Sequence, residues 1–238
     1  MAKTQPALQD ASMSDRETRP QSSVRRLSVV ASLLNLLFPP RCVGCNTWGA
    51  WLCPSCMDEI LFFEPPWPPL LDAIEPLQGV RAAAHLSGPL REAIHRFKYR
   101  GLRVLSPVLG EMLYDCWDAE PWPVDVIVPV PLHPQRQRER GYNQSALLAR
   151  ELARHTGLPA VEGVLLRIVP TPPQVGLRAI ERADNVRGAF RCRHDALAGK
   201  HVLLVDDVLT TGATLRACAN ALLEGKAQAV WGLTLAHD

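Results

Sequence analysis

The stretch His201–Leu215, HVLLVDDVLTTGATL, constrains the fold of this 238-residue chain more than any other. An apolar run ends in Asp206-Asp207, a Thr-Thr-Gly turn follows, and a helix pattern opens near Ala213-Thr214. A short apolar run of this kind reads as a buried strand, and strand, turn and helix together make one half of a parallel α/β unit. Each part has a physical use. Gly212 allows the backbone to approach an anion closely. The Thr hydroxyls and the free N–H groups of the helix start point at phosphate oxygens, and the helix dipole favours their charge. Two carboxylates at the carboxyl end of such a strand suit a sugar diol, held directly or through a metal, where open α/β sheets bind ligands. An acidic pair after VLLV also resembles the strand of an ATPase, but the chain has no Gly-x-x-x-x-Gly-Lys-Ser/Thr, which argues against a P-loop enzyme. A merely structural turn has no need of two Asp, three Thr and a Gly together.

The rest of the second half extends this pattern. Val80–Leu86, Val124–Val130, His201–Asp207 and Ala229–Leu235 read as strands. Pro89–Phe97, Leu102–Trp117, Asn143–His155 and Ala213–Leu223 read as helices, the last two closed by Gly157 and Gly225. Strands separated by helices predict a parallel sheet with helices on both faces.

Four of the seven cysteines fall within fifteen residues, as Cys42-x-x-Cys45, seven residues, then Cys53-x-x-Cys56. A two-residue gap lets two thiolates from one tight turn reach one ion, and two such knuckles give a tetrahedral sulfur site. Thiolates select Zn²⁺ or an iron–sulfur centre over Mg²⁺ or Ca²⁺. A structural zinc site is the expectation; a redox or disulfide pair is the alternative, which two complete knuckles suit less well. Cys116, Cys192 and Cys218 have no partner at metal spacing and are expected as small buried groups.

These features divide the chain into a disordered lead (residues 1–24), a helix plus Cys₄ zinc-ribbon module (25–63), a Pro-rich linker (64–79) and an α/β domain (80–238). The run Leu27–Phe38 after Arg25-Arg26 is read as an amphipathic helix. A signal peptide or membrane association is the alternative, opposed by the long polar lead, by Ser32 and Asn35 within the run, and by the direct passage into Pro39-Pro40-Arg41-Cys42. No apolar run reaches the roughly 18 residues of a membrane span. Clustered free thiols then point to the cytoplasm. With 47% hydrophobic and 21% charged residues the chain has enough apolar material for a core, which excludes a wholly disordered protein.

The formal charge of +2 conceals a cancellation. Positions 133–193 carry eleven Arg, no Lys and five acids, a surplus of six positive charges, so the remainder sums to four negative. A cationic block in a nearly neutral chain is the footprint of a polyphosphate or nucleic-acid site. Arg136, Arg138 and Arg140 follow the strand at Val124–Val130 in an expected loop, where arginines can clamp phosphate; a solvated charged loop is the competing reading. Asn143 and Gln144 start the next helix, with Asn143 placed to cap it. Aromatics in the block are sparse, and Phe97 and Tyr99 fit a stacking surface for single-stranded DNA or the core equally well.

VLLVDDVLTTGATL resembles the fingerprint of type I phosphoribosyltransferases, which bind phosphoribosyl pyrophosphate (PRPP). The likeness implies that Asp206 and Asp207 contact ribose hydroxyls and that Leu209, Thr210, Thr211, Gly212, Ala213 and Thr214 cradle the 5′-phosphate. From Phe38 onward the chain is similar to the ComF family, which joins an N-terminal zinc ribbon to a phosphoribosyltransferase domain. The likeness is carried by FPPRCVGC, CPSC, IHRFKYRG (94–101), VDVIVPVPLHPQRQRERGYNQSALLA (124–149), then Arg167, Thr171, Gln174, Arg182, Asn185, Val186, Gly188, Ala189 and Phe190. It implies an α/β fold of the type I phosphoribosyltransferase class. It also implies pyrophosphate or DNA-phosphate contacts from Arg136, Arg138, Arg140, Asn143, Gln144 and Arg182. The expected ligands are PRPP with Mg²⁺, or a nucleotide, with structural Zn²⁺ on Cys42, Cys45, Cys53 and Cys56. A role in DNA uptake follows, involving single-stranded DNA and a competence helicase. An active transferase or a non-catalytic PRPP sensor are the alternatives, since no acceptor-recognition signature is present and the Arg-rich loop is longer than the small-residue loop of that enzyme class.

Overall fold

The computed structural model describes residues 39–67, 74–169, 188–193 and 195–238. The expected lead, the helix at 27–38 and the matching positions Thr171, Gln174, Arg182, Asn185 and Val186 lie outside the described residues. Residues Arg41–Asp238 form one compact unit.

Four parallel strands make the central sheet: β1 (Val80–His85), β2 (Val126–Pro129), β5 (His201–Leu209) and β6 (Ala229–His237), in the order β1-β6-β5-β2. Their period of two sorts the core into two layers. Leu203, Val205, Trp231, Leu233 and Leu235 face one layer. Val202, Leu204 and Val230 face the other.

The first layer is covered by α2 (Gly88–Tyr99), α3 (Ser106–Asp118) and α5 (Gln144–Thr156). Helix α2 buries Leu90, Ala93, Ile94 and Phe97, the spacing of a single helical stripe. Phe97 anchors the last turn in the core, so the next two residues, Lys98 and Tyr99, emerge at the carboxyl ends of the strands. The second layer is covered by α6 (Ala213–Glu224), beside a short antiparallel pair, β3 (Leu165–Arg167) with β4 (Phe190–Cys192). Helix α6 lies close to the sheet at Gly232, where an added Cβ would sit 3.1 Å from Leu215.

Three expectations change. The strand at 201–207 runs on to Leu209, pairing Leu209 with His237, so the acidic pair sits inside the ladder rather than at its end. The helix expected from Leu102 begins at Ser106 after a 3₁₀ turn at Arg103–Leu105. Pro107, which lacks an N–H, sits in the first turn, where that loss is harmless. The charged loop at 134–140 is a helix, α4 (Pro134–Arg140). Pro134 opens it, the His133 side chain accepts from the Gln135 N–H, and Gly141 closes it with φ of 78°.

The cysteine module includes α1 (Pro54–Asp58), opened by Pro54 with Cys53 at the cap. Cys42, Val43, Leu52, Cys56 and Ile60 join the same core layer as α2 and α3. The chain then extends the sheet edge: the Phe63 N–H donates to Ala83 and the His85 N–H to Leu61. Further along, Trp67 and Trp122 flank the Arg81 guanidinium at 4.9 and 3.9 Å, and both Trp67 and Arg81 donate to Glu120. Trp67, near the start of the expected linker, is thus fastened to the body, and near its end Ile74 and Leu77 are buried and the Gln78 N–H donates to Val230.

Candidate functional site

Helix geometry sorts the arginines of α4. Residues four apart share a face and the residue midway lies opposite. Arg136 and Arg140 accordingly line a cavity of about 300 Å³ beyond the carboxyl end of β2 and beside the last residues of β5. Arg138 does not line it and is exposed. Lys98, Tyr99, Gln144, Arg167, Asp206, Asp207, Thr210 and Thr214 complete the polar wall.

The acidic pair is held from three directions. Ser145 in the first turn of α5 donates to Asp206 Oδ1 at 2.8 Å, and the Asp207 N–H donates to the same oxygen at 2.9 Å. Lys98 Nζ lies 2.9 Å from Asp207 Oδ1. Asp207 Oδ2 is buried without a hydrogen-bond partner. Burial, then the Asp207 charge, pushes the Asp206 carboxyl up to about 7, against the Ser145 bond and Lys98, which favour ionisation. Burial works to strip the Lys98 proton, but the Asp207 charge, the hydrogen bond to Asp207 and the Asp206 charge together outweigh it and hold the ammonium above its ordinary value. Burial, then Arg136, lowers the Arg167 guanidinium, which stays charged.

The turn after β5 is arranged for backbone contact. Leu209 and Ala213 are buried, so their side chains belong to the core and only their main chain faces the turn. Gly212 adopts φ of 71° at the cap of α6, and an added Cβ would lie 2.6 Å from Ile74. Thr210 and Thr214 face the cavity, while Thr211 is exposed.

Asn143 caps α5 as expected, accepting from the Ser145 N–H at 3.1 Å and donating to Val130 at 3.0 Å. It lines a second cavity of about 590 Å³, which shares Pro131, Leu132 and Arg167 with the first. Gln144 faces the first cavity and accepts from Arg140. Arg182 lies outside the described residues. Three residues of the site carry no role in the sequence reading: Lys98, Ser145 and Arg167. Of the two aromatics, Phe97 is core and Tyr99 is 60% exposed, with the Arg140 guanidinium 5.2 Å from its ring centre.

The sulfur atoms of Cys42, Cys45, Cys53 and Cys56 lie within 4.8 Å of one another and could hold a metal ion. The Cys53 N–H points at Cys42 Sγ. Gly44 is required by space, because a Cβ there would meet Cys56 Sγ at 2.7 Å. Among the described residues this is the one cluster of three or more His, Cys, Asp or Glu side chains that could hold a metal.

A parallel sheet whose central strand carries the acidic pair, followed by a Thr-Thr-Gly turn into a helix, defines a phosphoribosyltransferase-type domain. Residues 144–236 match the family model described as "Phosphoribosyl transferase domain". The chain is 31% identical over 209 residues to "Competence protein F" of Haemophilus influenzae, covering 83% of this chain and 85% of that one. It is 33% identical over 184 residues to "DNA utilization protein YhgH" of Escherichia coli K12, covering 75% and 81%. "Competence protein ComFC" of Bacillus subtilis is 32% identical over 148 residues, 61% of this chain and 59% of that one. The chain belongs to the ComF family.

Proposed function

We propose that the chain binds PRPP or a nucleotide in the cavity beside Asp206 and Asp207 and acts in DNA uptake during natural transformation. One observation carries the binding half of this reading. The acidic pair, two Thr hydroxyls and a helix start meet Lys98, Arg136, Arg140 and Arg167 in one cavity of about 300 Å³. Carboxylates that accept from sugar hydroxyls, beside cations and N–H groups that take phosphate, match a phosphorylated sugar. Asp206, through Oδ2, and Asp207, through the Oδ1 it shares with Lys98, would take the ribose hydroxyls. The 209–214 turn would take the 5′-phosphate, and Arg136, Arg140 and Gln144 the pyrophosphate. The biological half rests on relatives named for competence and DNA utilization.

Single-stranded DNA is the second ligand of this reading. Tyr99, exposed beside Arg140 and Arg136, offers a ring for a base next to cations for its phosphates. The competence helicase remains an expectation from the family resemblance. Zn²⁺ on Cys42, Cys45, Cys53 and Cys56 is the metal that four thiolates favour, with a structural role. The reading assigns the protein to the cytoplasm, where such thiols stay reduced; among the described residues no helix is long and apolar enough to cross a membrane.

Active phosphoribosyl transfer is the competing reading, favoured by the second cavity. Its 590 Å³ beside Arg167 has room for an acceptor. Calorimetry with PRPP, followed by pyrophosphate-release assays across a panel of nucleobases, tests both. Binding with silence across the panel supports a DNA-uptake factor or sensor. Turnover with any base establishes the enzyme, and absence of PRPP and nucleotide binding refutes the site.

A further inference from the structure

We propose that Lys98 is a built-in counter-cation, seated at the acidic pair where a divalent metal would otherwise bind, so that the cavity takes a polyphosphate without Mg²⁺. The inference rests on the phosphate-binding reading of the cavity and departs from the Mg²⁺ that the family resemblance implies.

The acidic pair is poorly set for a metal. Beside a bound phosphate Mg²⁺ takes one or two carboxylates and completes its near-octahedral six with phosphate oxygens and waters, so the carboxylates must be open and free of a competing cation. Asp206 Oδ1 is already shared by the Ser145 hydroxyl and the Asp207 N–H. Asp207 Oδ1 faces the Lys98 ammonium at 2.9 Å, and Asp207 Oδ2 is shut off from solvent. One oxygen, Asp206 Oδ2, is left for an ion, which would also have to lie beside an ammonium and repel it.

Lys98 is poorly placed to step aside. It follows Phe97, which is fully buried, and the Tyr142 hydroxyl donates to the Phe97 carbonyl. The Lys98 side chain is 20% exposed. The work that a divalent ion performs for a bound pyrophosphate is therefore distributed over protein cations. Lys98, Arg136, Arg140 and Arg167 face two carboxylates across the cavity wall, an excess of two positive charges before any ligand enters. Lys98 is also delivered by α2, outside the 144–236 segment that matches the transferase model. This cation is thus contributed by the first half of the chain.

The test uses the full zinc-loaded chain, freed of other divalent ions by gel filtration rather than by a chelator. Inorganic pyrophosphate is titrated with and without Mg²⁺, with correction for the complex the two form in solution. The wild type should bind with affinities within about threefold of each other. Lys98→Met should lose about tenfold or more without Mg²⁺ and recover most of it when Mg²⁺ is added, the scale of one charge-assisted hydrogen bond. Lys98→Gln, neutral but able to donate to Asp207, serves if the Met variant folds poorly. Independently of pyrophosphate, Mn²⁺ alone is followed by its free-ion paramagnetic signal. The wild type should leave that signal unchanged, Lys98→Met should diminish it, and adding Asp207→Asn should restore it. A wild type that needs Mg²⁺, or a Lys98 variant that neither weakens nor gains Mn²⁺, overturns the proposal. Failure of every form to bind pyrophosphate removes the phosphate reading instead, and the Mn²⁺ titration then decides the role of Lys98.

Discussion

Ser145 Oγ lies 2.8 Å from Asp206 Oδ1, joining the first turn of α5 to the central strand inside the buried core. The bond favours the ionised carboxylate, but burial and Asp207 outweigh it and push Asp206 up to about 7. In the unfolded chain the group returns to about 3.8. Between these values the folded protein keeps a proton that the unfolded chain releases, so stability falls as pH rises through the window. Asp206→Asn, which can still accept from Ser145, removes that titration. Its melting temperature relative to wild type should climb from about pH 4 to about pH 7 and then level off. A difference independent of pH would show that Asp206 does not carry the raised proton affinity.

The acidic pair should be indispensable for PRPP. Asp206→Ala with Asp207→Ala deletes the acceptors for the sugar hydroxyls and leaves Lys98 without its partner. Affinity is expected to drop about a hundredfold or more, as when two charge-assisted hydrogen bonds are removed. Calorimetry reads the result, with circular dichroism to verify folding. Unchanged affinity would move the ligand elsewhere.

The two faces of α4 predict unequal roles for its arginines. Arg136→Ala with Arg140→Ala should weaken single-stranded DNA binding and reduce the salt slope by about 0.7 for each phosphate no longer neutralised. Arg138→Ala should leave both nearly unchanged, because Arg138 is outside the cavity. Tyr99→Ala should lower affinity by about 1–3 kcal/mol with little change in slope, since stacking releases no counterions. Equal effects at Arg138 and Arg136 would mark the helix as a diffuse charged surface.

What is legible in the sequence follows from where signals are local. The apolar run at His201, the Gly212 turn and the paired cysteines each encode their geometry within about fifteen residues, and the structure brings each together. PQRQRER carries no apolar period, so it reads as a loop although Pro134 and Gly141 are standard start and stop signals. β3 and β4 are three residues each, too short for a period of two to show. Ser145 and Asp206 are 61 positions apart, and no spacing rule joins them. Lys98 does have a local signal: the buried stripe Leu90, Ala93, Ile94 and Phe97 ends just before it, leaving a lone Lys at the helix terminus.

The cysteine cluster should hold one zinc per chain, measured by atomic emission on purified protein. Cys42 and Cys56 are buried within the core layer that α2 and α3 share. Loss of the ion should therefore lower the stability of the whole unit, because metal binding to such sites is coupled to folding. Cys45→Ser, at an exposed ligand, should release zinc and lower the melting temperature while leaving the apolar packing intact. Stoichiometric iron with visible absorbance, or full stability without metal, would exclude a structural zinc.

Gly212 is where fold and proposed ligand site impose the same demand. Its φ of 71° is left-handed, and a Cβ would lie 2.6 Å from Ile74 Cδ1 and 3.0 Å from Cγ2. Gly212→Ala should cost about 1–2 kcal/mol for the backbone and about 1–3 kcal/mol more for the overlap. Trimming the neighbour in Gly212→Ala with Ile74→Ala removes the overlap but not the backbone strain, and leaves a small void at Ile74. Relative to Ile74→Ala alone, the added Gly212→Ala should then cost only the backbone part. PRPP affinity should fall in both Gly212 variants, because the turn can no longer hold its N–H groups toward the phosphate. Calorimetry and thermal melts on the four proteins separate the two effects. Full recovery of stability in the double variant, measured against Ile74→Ala, would assign the whole requirement for glycine to space rather than to φ.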